Sequence, residues 1–345
     1  MSSLSPAGAP LVETKNLTVD FVGTGKPVRA VAGVDLTLAP GEVVALLGES
    51  GSGKSVTLRA LMRLLPEKRA KIGGSIRVDG RDVTALSRRE LSAFRGSTVA
   101  MIFQEPGLAF DPVYRVGDQI AEAVVRHERV SRAAGRARAL ALFERVRIPS
   151  PEQRLDNYPH EMSGGMRQRA MIALALACRP KVLLADEPTT ALDATVQIQI
   201  LLLLRELQRE LGLAVIFVTH DIGVATEVAD RIAVMYAGRI VESGACRDVI
   251  RAPAHPYTRG LLASRADHVF TKGTRLETIP GAPPDLTALP PGCAFAPRCA
   301  QARPACNAGV PEERTASPHH VARCLLLPAP AEDGACHRAD ATAAA

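Results

Sequence analysis

One octapeptide, GESGSGKS at residues 48–55, constrains the fold of this chain more than any other feature. It matches the pattern G-x-x-x-x-G-K-[ST] and lies between a short apolar run at 42–49 and a helical pattern at 59–65. In such a unit, glycines let backbone N–H groups surround an anion, and the following helix adds its positive end. Lys54 is expected to reach the β- and γ-phosphates of a nucleotide, and Ser55 to bind Mg²⁺. The predicted phosphate site comprises Gly48, Glu49, Ser50, Gly51, Ser52, Gly53, Lys54 and Ser55.

A second motif places two adjacent carboxylates at the end of a hydrophobic strand, in VLLADEP at residues 182–188. Because adjacent strand residues point to opposite sides, Asp186 can serve the Mg²⁺ ion while Glu187 polarises the attacking water. The alternative interpretation is a strand that runs into an acidic turn. Kinases, GTPases, motors and transporters all remain possible on the phosphate loop alone.

A third motif, SGGMRQR at residues 163–169, opens a helix that runs through Cys178. Ser163 is a good N-cap and Pro180 follows the end of the helix, so the bounds are well marked. With two glycines at its start, this helix offers a second phosphate-binding N-terminus. The chain thus has two phosphate-binding elements, the loop and this helix terminus. One nucleotide bound between two such elements suggests a dimer, in which the phosphate loop of one subunit faces Ser163 of the other.

The order of the predicted elements indicates an α/β fold with appended segments. Strands and helices alternate from Leu11 to about Gly244, and the short β-branched strands are typical of a parallel sheet that is buried on both faces. We predict a flexible leader over 1–10 and a nucleotide domain over 11–260. An arginine-rich helical subdomain lies at about 112–180, and its arginines are most simply a solvated helix face. A proline-rich, loop-rich module follows over 261–328, with a disordered tail over 329–345.

Composition excludes several classes of protein. The chain has 345 residues, a formal net charge of +6, 3% aromatic residues and no tryptophan. Platforms of interleaved basic and aromatic side chains for single-stranded nucleic acid are therefore not expected. No apolar run approaches the ~18 residues of a membrane span, and the N-terminus lacks the basic start and apolar core of a signal peptide. We expect a chain that does not cross a membrane by itself.

Taken in order, the motifs resemble those of the ATP-binding subunits of ABC transporters, over roughly residues 11–245. The phosphate loop corresponds to Walker A, and Val182–Asp186 to Walker B. The signature is Ser163, Gly164 and Gly165, with Met166 in place of the more usual glutamine. The resemblance implies a RecA-like core with an antiparallel β subdomain and a helical subdomain.

The resemblance also implies roles for single residues. Phe21 would stack on adenine, although an aromatic residue at a strand end is often part of the core. Gln104 would sense Mg²⁺ and the attacking water, and His220 would contact the γ-phosphate. Asp193, in the D-loop that starts at Ala191, would act across the dimer interface.

Further segments resemble the oligopeptide/dipeptide importer branch of that family, namely YPHEMSGGMRQR at 158–169, HPYTRG at 255–260, IPGAPP at 279–284 and GCAFAPRC at 292–299. This branch couples ATP hydrolysis to import of a peptide, and sometimes of nickel or a related solute. The implied partners are two transmembrane permease subunits, a second ATPase subunit that is more often a paralogue than a copy, and an extracytoplasmic solute-binding protein. The implied location is the cytoplasmic face of the cell membrane.

A non-transport ATPase acting on nucleic acid is the main alternative. Such proteins carry long coiled coils or zinc insertions between the phosphate loop and the signature. The stretch between residues 55 and 163 has neither sustained heptads nor cysteines, so nucleic acid is not an expected partner.

Five of the seven cysteines lie in the last 55 residues. We predict that Cys293, Cys299, Cys306 and Cys324 bind one metal centre, and that Cys336 does not. The intervening gaps of 5, 6 and 17 residues contain no C-x₂₋₄-C knuckle, which disfavours zinc, whereas four thiolates suit a [4Fe–4S] cluster. The importer resemblance favours the same cluster; zinc and free thiols are the alternatives. Its role would be structural and far from the γ-phosphate.

Overall fold

The computed structural model describes residues 9–23, 26–190, 192–264 and 279–328. Most of the predicted leader, the predicted tail with Cys336, and Ala191 of the D-loop lie outside these ranges. Among the described residues, no helix is long and apolar enough to span a membrane.

The described residues form two β-sheets and a set of surrounding helices. The strands are β1 (Val12–Phe21), β2 (Val28–Leu38), β3 (Val43–Leu47), β4 (Ala70–Val78), β5 (Arg81–Asp82), β6 (Val99–Ile102), β7 (Val182–Asp186), β8 (Ala214–Thr219), β9 (Arg231–Tyr236), β10 (Arg239–Ala245), β11 (Arg314–Ser317) and β12 (His320–Ala322). The helices are α1 (Lys54–Leu61), α2 (Arg88–Ser97), α3 (Val116–Glu128), α4 (Arg132–Arg145), α5 (Pro151–Arg154), α6 (Gly164–Leu176), α7 (Ala194–Leu211), α8 (Ile222–Val228), α9 (Cys246–Arg251) and α10 (Pro256–Ala263).

The larger sheet has the order β11-β12-β10-β9-β3-β8-β7-β6. Strands β6, β7, β8, β3 and β9 run parallel, and β3, β7 and β8 are buried along their whole length. This burial explains their continuous apolar sequences. Because parallel strands end at the same edge, the residues that follow β3, β7 and β8 are brought together there. Gly48, Glu187 and His220 are three of these residues.

The smaller sheet, β2-β1-β4-β5, is antiparallel throughout. Helix α1 packs between the two sheets, and its Leu58 and Leu61 are buried with Val19 of β1 and Leu46 of β3. This arrangement fixes the helix that follows the phosphate loop against both sheets. Phe21 ends β1, opposite Val28 of β2.

Helices α3 to α6 occupy the stretch in which the sequence predicted a helical subdomain. Their apolar faces share one core, in which Ile120, Phe143 and Ile172 are fully buried. Most arginines of this region are exposed, whereas others, such as Arg138 and Arg169, are half-buried, and several arginines form ion pairs, such as Arg136 with Asp156 at 2.9 Å.

The described part of the predicted C-terminal module over 261–328 packs against the nucleotide domain. Strand β12 pairs antiparallel with β10 and extends the large sheet, which the sequence did not indicate. Phe295 packs with Tyr257 of α10 and Tyr236 of β9 in a buried cluster that also includes Leu47. The segment is stabilised by the core of the nucleotide domain, because it has too little apolar sequence for a core of its own.

Candidate functional site

The phosphate loop follows β3 directly and turns through three glycines with positive φ, Gly48, Gly51 and Gly53. A Cβ atom on Gly48 would lie 2.1 Å from the carbonyl oxygen of Met235, and one on Gly53 would lie 2.4 Å from that of Ala30. Both contacts are with backbone, which cannot move aside. Glycine is therefore required at these two positions, both for the backbone conformation and for the close approach of neighbouring strands.

Lys54 lies folded across the phosphate loop. Its Nζ donates hydrogen bonds to the carbonyl oxygens of Gly48 at 2.7 Å and Glu49 at 2.9 Å. Burial lowers the pKa of the Lys54 ammonium, while the carboxylates of Glu187, Asp186 and Glu49 oppose that shift. A buried ammonium beside a glycine-rich loop at the start of a helix is suited to a polyphosphate.

Ser55 and Asp186 form the oxygen pair expected for a divalent cation. The Ser55 hydroxyl donates to Oδ1 of Asp186 at 2.7 Å, and the carboxyl is almost fully buried. Burial raises the pKa of Asp186, Glu187 adds to the rise, and the hydrogen bond from Ser55 opposes it. A hydroxyl and a carboxylate are ligands that Mg²⁺ accepts, with phosphate oxygens and water as the remaining ligands.

Glu187 lies at the centre of the other predicted catalytic residues. Its Oε2 is 3.4 Å from Nε2 of Gln104 and 3.4 Å from Nδ1 of His220. Thr190 also donates its hydroxyl to Oε2 at 2.9 Å, a partner that sequence reasoning missed although it lies only two residues beyond the motif. Glu187 has a φ of +46°, so the chain turns off the line of β7 at this residue. Gln104, predicted also as a Mg²⁺ ligand, lies here beside Glu187.

The signature residues lie at a different place from the phosphate loop. Ser163 caps α6, because its Oγ accepts the N–H of Met166 at 3.3 Å. A Cβ on Gly165 would lie 3.0 Å from Cγ1 of Val196, so the glycine lets α6 approach α7 closely. Asp193 caps α7 by accepting the N–H of Val196 at 3.0 Å. The signature and the D-loop residue are thus neighbours, and neither lines the cavity at the phosphate loop.

That cavity has a volume of about 900 Å³, within the range of small-molecule sites. Phe21 and Val28 provide apolar lining, and the phosphate loop, Gln104, Glu187 and His220 provide polar lining. Four further lining residues come from the C-terminal part of the chain, namely Leu261, Ser264, Ile279 and Leu286. The sequence did not predict that this part of the chain reaches the cavity, and none of the four predicted cysteine ligands lines it. Ile279 belongs to the IPGAPP segment, which resembles the importer branch, but the sequence did not indicate where this segment lies in the fold.

The four predicted cysteine ligands are free thiols; Cys324 is buried and Cys293, Cys299 and Cys306 are half-buried. Burial raises the pKa of Cys293, and the nearby thiols of Cys306 and Cys324 add to the rise. Backbone N–H groups donate to these sulfurs, including that of Arg303 to Cys306 at 3.5 Å. Across the part of the chain that the structure describes, no group of three or more His, Cys, Asp or Glu side chains is arranged to hold a metal ion.

Comparison with known proteins agrees with the motifs. The family model "ABC transporter" matches residues 31–190, and the model "Oligopeptide/dipeptide transporter, C-terminal region" matches residues 241–306. A putative peptide import ATP-binding protein of Brucella melitensis is 49% identical over 327 residues, which cover 92% of this chain and 97% of that protein. The dipeptide transport ATP-binding protein DppD of Bacillus subtilis is 47% identical, with coverage of 92% and 94%.

Solved structures support the same assignment. The ATP-binding cassette MJ0796, in a dimeric post-hydrolysis state bound to ADP and Pi, matches with a TM-score of 0.62 and 30% identity, covering 68% of this chain and 99% of that one. An ABC transporter component from Clostridium perfringens, cbiO1, matches with a TM-score of 0.61 and 29% identity, covering 70% and 91%. The predicted resemblance is therefore confirmed: this chain is an ABC-type ATPase and belongs to the family of oligopeptide/dipeptide ABC transporter ATP-binding proteins.

Proposed function

We propose that this chain is the ATP-hydrolysing subunit of a membrane importer for oligopeptides or dipeptides. The observation that carries the proposal is the convergence of Gln104, Glu187 and His220 beside Lys54 and the Ser55–Asp186 pair. The match of residues 241–306 to the peptide-transporter C-terminal region supports the substrate class. Nickel or another small solute is the alternative cargo, because the permeases and the binding protein select the solute.

The mechanism follows from the contacts of these residues. Lys54, the loop N–H groups and the N-terminus of α1 would hold the phosphates, and Ser55 and Asp186 would hold Mg²⁺, which would neutralise charge on the phosphates. Glu187 polarises a water for attack on the γ-phosphate, with Gln104 and His220 positioned at the same carboxylate. The phenyl ring of Phe21 offers its face to adenine at the apolar side of the cavity.

A second ATPase subunit completes each site. Ser163, Gly164 and Gly165 form a helix N-terminus that does not line the cavity of their own chain, so they are available to the nucleotide of a partner. The dimeric state in the description of the MJ0796 cassette supports this arrangement. Both a homodimer and a paralogous heterodimer satisfy it, and the importer branch favours the heterodimer.

The permeases dock, in this proposal, on a groove of about 790 Å³ between α2 and α3. The groove is lined by charged residues of both signs, including Arg88, Arg95, Glu122 and Arg126, and Tyr114 beside it is 60% exposed. Docking there places the chain as a peripheral subunit on the cytoplasmic face of the membrane. The groove lies between the helical region and the core, so a movement of one relative to the other would be transmitted to the docked permeases.

The four-cysteine cluster is proposed to hold a [4Fe–4S] centre. The support is the importer resemblance, four cysteines in one segment, thiols near enough to raise the pKa of Cys293 and Cys324, and backbone N–H groups that donate to the sulfurs, although the described residues hold no preformed group of three metal ligands. When bound, the cluster would crosslink a segment that has little core of its own. Anaerobic purification followed by iron and sulfide analysis tests this: Cys299→Ser should lose iron and lower the melting temperature, and Cys246→Ser, outside the cluster, should do neither. A colourless wild-type protein refutes the iron–sulfur centre, and stoichiometric zinc in it supports the alternative metal.

The function is tested by co-expression with a pair of permease subunits from a peptide importer. The expected result is a membrane-bound complex whose ATPase rate rises with a peptide-loaded binding protein. Recovery of the chain away from membranes, with ATPase activity indifferent to permeases, contradicts the proposal.

A further inference from the structure

Glu49, the second residue of the phosphate loop, is held by two side chains from the C-terminal part of the chain. Its backbone N–H donates to the Tyr257 hydroxyl at 2.8 Å. Its carboxylate accepts from both terminal nitrogens of Arg298, at 2.7 Å and 3.0 Å, in a bidentate pair. Since Lys54 donates to the Glu49 carbonyl, the backbone and the side chain of this one residue are all fixed.

Arg298 is buried to an unusual degree for an arginine, with its side chain only 6% exposed. Its Nε donates to the carbonyl oxygen of Pro280 at 2.9 Å, and a terminal nitrogen is 3.3 Å from the Tyr236 hydroxyl. The guanidinium lies over the rings of Tyr236 and Phe295, about 6 Å from each centroid. The hydrogen bond to Glu49 raises the pKa of Arg298 further above its usual range.

The location of Glu49 gives the pair an electrostatic role. A carboxylate in a loop that binds a polyphosphate repels the ligand unless a cation neutralises it. Arg298 supplies that cation from outside the loop, which leaves Lys54 for the phosphates. A buried, bidentate pair also fixes the direction of the loop, because the planar guanidinium matches a carboxylate in one orientation.

Arg298 is itself anchored to the sheet through the C-terminal segment. It ends a short turn, Ala296–Arg298, that lies between Cys293 and Cys299 and is closed by the N–H of Cys299 on the carbonyl of Ala296 at 3.2 Å. Further along, His320 of β12 is 2.7 Å from the carboxylate of Glu242 in β10, and both side chains are almost fully buried. The Arg298 turn thus joins the cysteine-containing segment to the phosphate loop, and the contact between His320 and Glu242 fixes the same segment to the large sheet.

We propose that Arg298 is a positioning residue for the phosphate-binding loop, which neutralises and orients Glu49 and so makes the C-terminal segment part of the ATP site. The proposal goes beyond the proposed transport function and rests on the ATP-binding role of the loop. It requires that the loss of Arg298 acts through the Glu49 carboxylate. A residue that only stabilised the C-terminal segment would have no such dependence.

The experiment is a double-mutant cycle on the full chain, with a non-hydrolysable ATP analogue and Mg²⁺ as the probe and melting temperature as the second readout. Arg298→Gln is expected to weaken binding by about tenfold or more, since it leaves a carboxylate unpaired beside the phosphates. Glu49→Gln/Arg298→Gln is expected to recover binding to within about threefold of wild type, because the repelling charge is gone. Arg303→Gln, an exposed arginine of the same segment, is the matched control and is expected to bind like wild type.

Arg298→Lys keeps the charge and loses the bidentate geometry, so its affinity for the ATP analogue should fall between those of wild type and Arg298→Gln. If Arg298→Gln does not fold, Arg298→Lys takes its place in the comparison. The proposal is overturned if Arg298→Gln binds like Arg303→Gln, or if the double variant stays as weak as Arg298→Gln. A wild-type chain that does not bind the analogue overturns both the ATP site and this proposal.

Discussion

Replacement of Glu187 by glutamine isolates the charge of the proposed base from its shape. The amide can keep contacts with Thr190, at 2.9 Å, and with Gln104 and His220, each at 3.4 Å, but it cannot polarise water as a carboxylate does. A positioned base contributes about 10²- to 10⁴-fold, which is roughly 2.7–5.4 kcal/mol of activation free energy. We expect turnover to fall by at least ~10²-fold.

Nucleotide binding should survive the same change. The phosphates are held by Lys54 and the loop, which Glu187 does not touch, and one negative charge is removed from the neighbourhood of the γ-phosphate. ATP-bound dimers should therefore accumulate. Phosphate release and ATP affinity are measured in the assembled complex, with Glu227→Gln, an exposed residue of α8, as the matched control. Near-wild-type turnover of Glu187→Gln, or a parallel loss of ATP binding, refutes the reasoning.

Three further predictions follow from single contacts. Gly48→Ala should abolish nucleotide binding in an equilibrium assay, because the new Cβ would lie 2.1 Å from the Met235 carbonyl oxygen; tight binding would show that the loop can shift. Isolated chains should hydrolyse ATP slowly and speed up on assembly, and Ser163→Arg should remove that rise; strong, concentration-independent activity of a monomer would contradict this. Burial lowers the pKa of His255 to about 4, so the unfolded chain binds the extra proton between pH 6.5 and 4. The contribution of His255 to the free energy of unfolding should be fully present above pH 6.5 and fall by roughly 3 kcal/mol by pH 4. In His255→Asn, the free energy of unfolding should depend less on pH over this range.

Local chemistry made the centre of the site predictable. The phosphate loop, the Asp186–Glu187 pair and the Ser163 cap depend on residue types at fixed short spacings, and the structure places Gln104, Glu187 and His220 together at the ends of parallel strands. The start of the helix after the phosphate loop was less accurate. Helix α1 begins at Lys54 instead of 59, because the phosphate loop leads directly into the helix.

Contacts between distant parts of the chain could not be predicted from the sequence. Arg298 and Glu49 are 249 residues apart, and neither position shows a periodic or compositional signal that links it to the other. Strand β12, which pairs with β10, has only three residues, too few for a strand pattern. A short segment with no core of its own is placed by the surface it packs on, which only the folded molecule defines.

The central claim is that ATP hydrolysis at this site drives peptide uptake. The most direct measurement is the transport of labelled peptide across the membrane of liposomes that hold the assembled complex. ATP is supplied on the side of the membrane where this chain lies, and the binding protein and the labelled peptide are supplied on the opposite side. Our account predicts uptake that requires ATP and stops with Glu187→Gln while ATP remains bound. Peptide uptake that proceeds at the wild-type rate with Glu187→Gln, or ATP hydrolysis by the complete complex without any uptake of peptide, would contradict it.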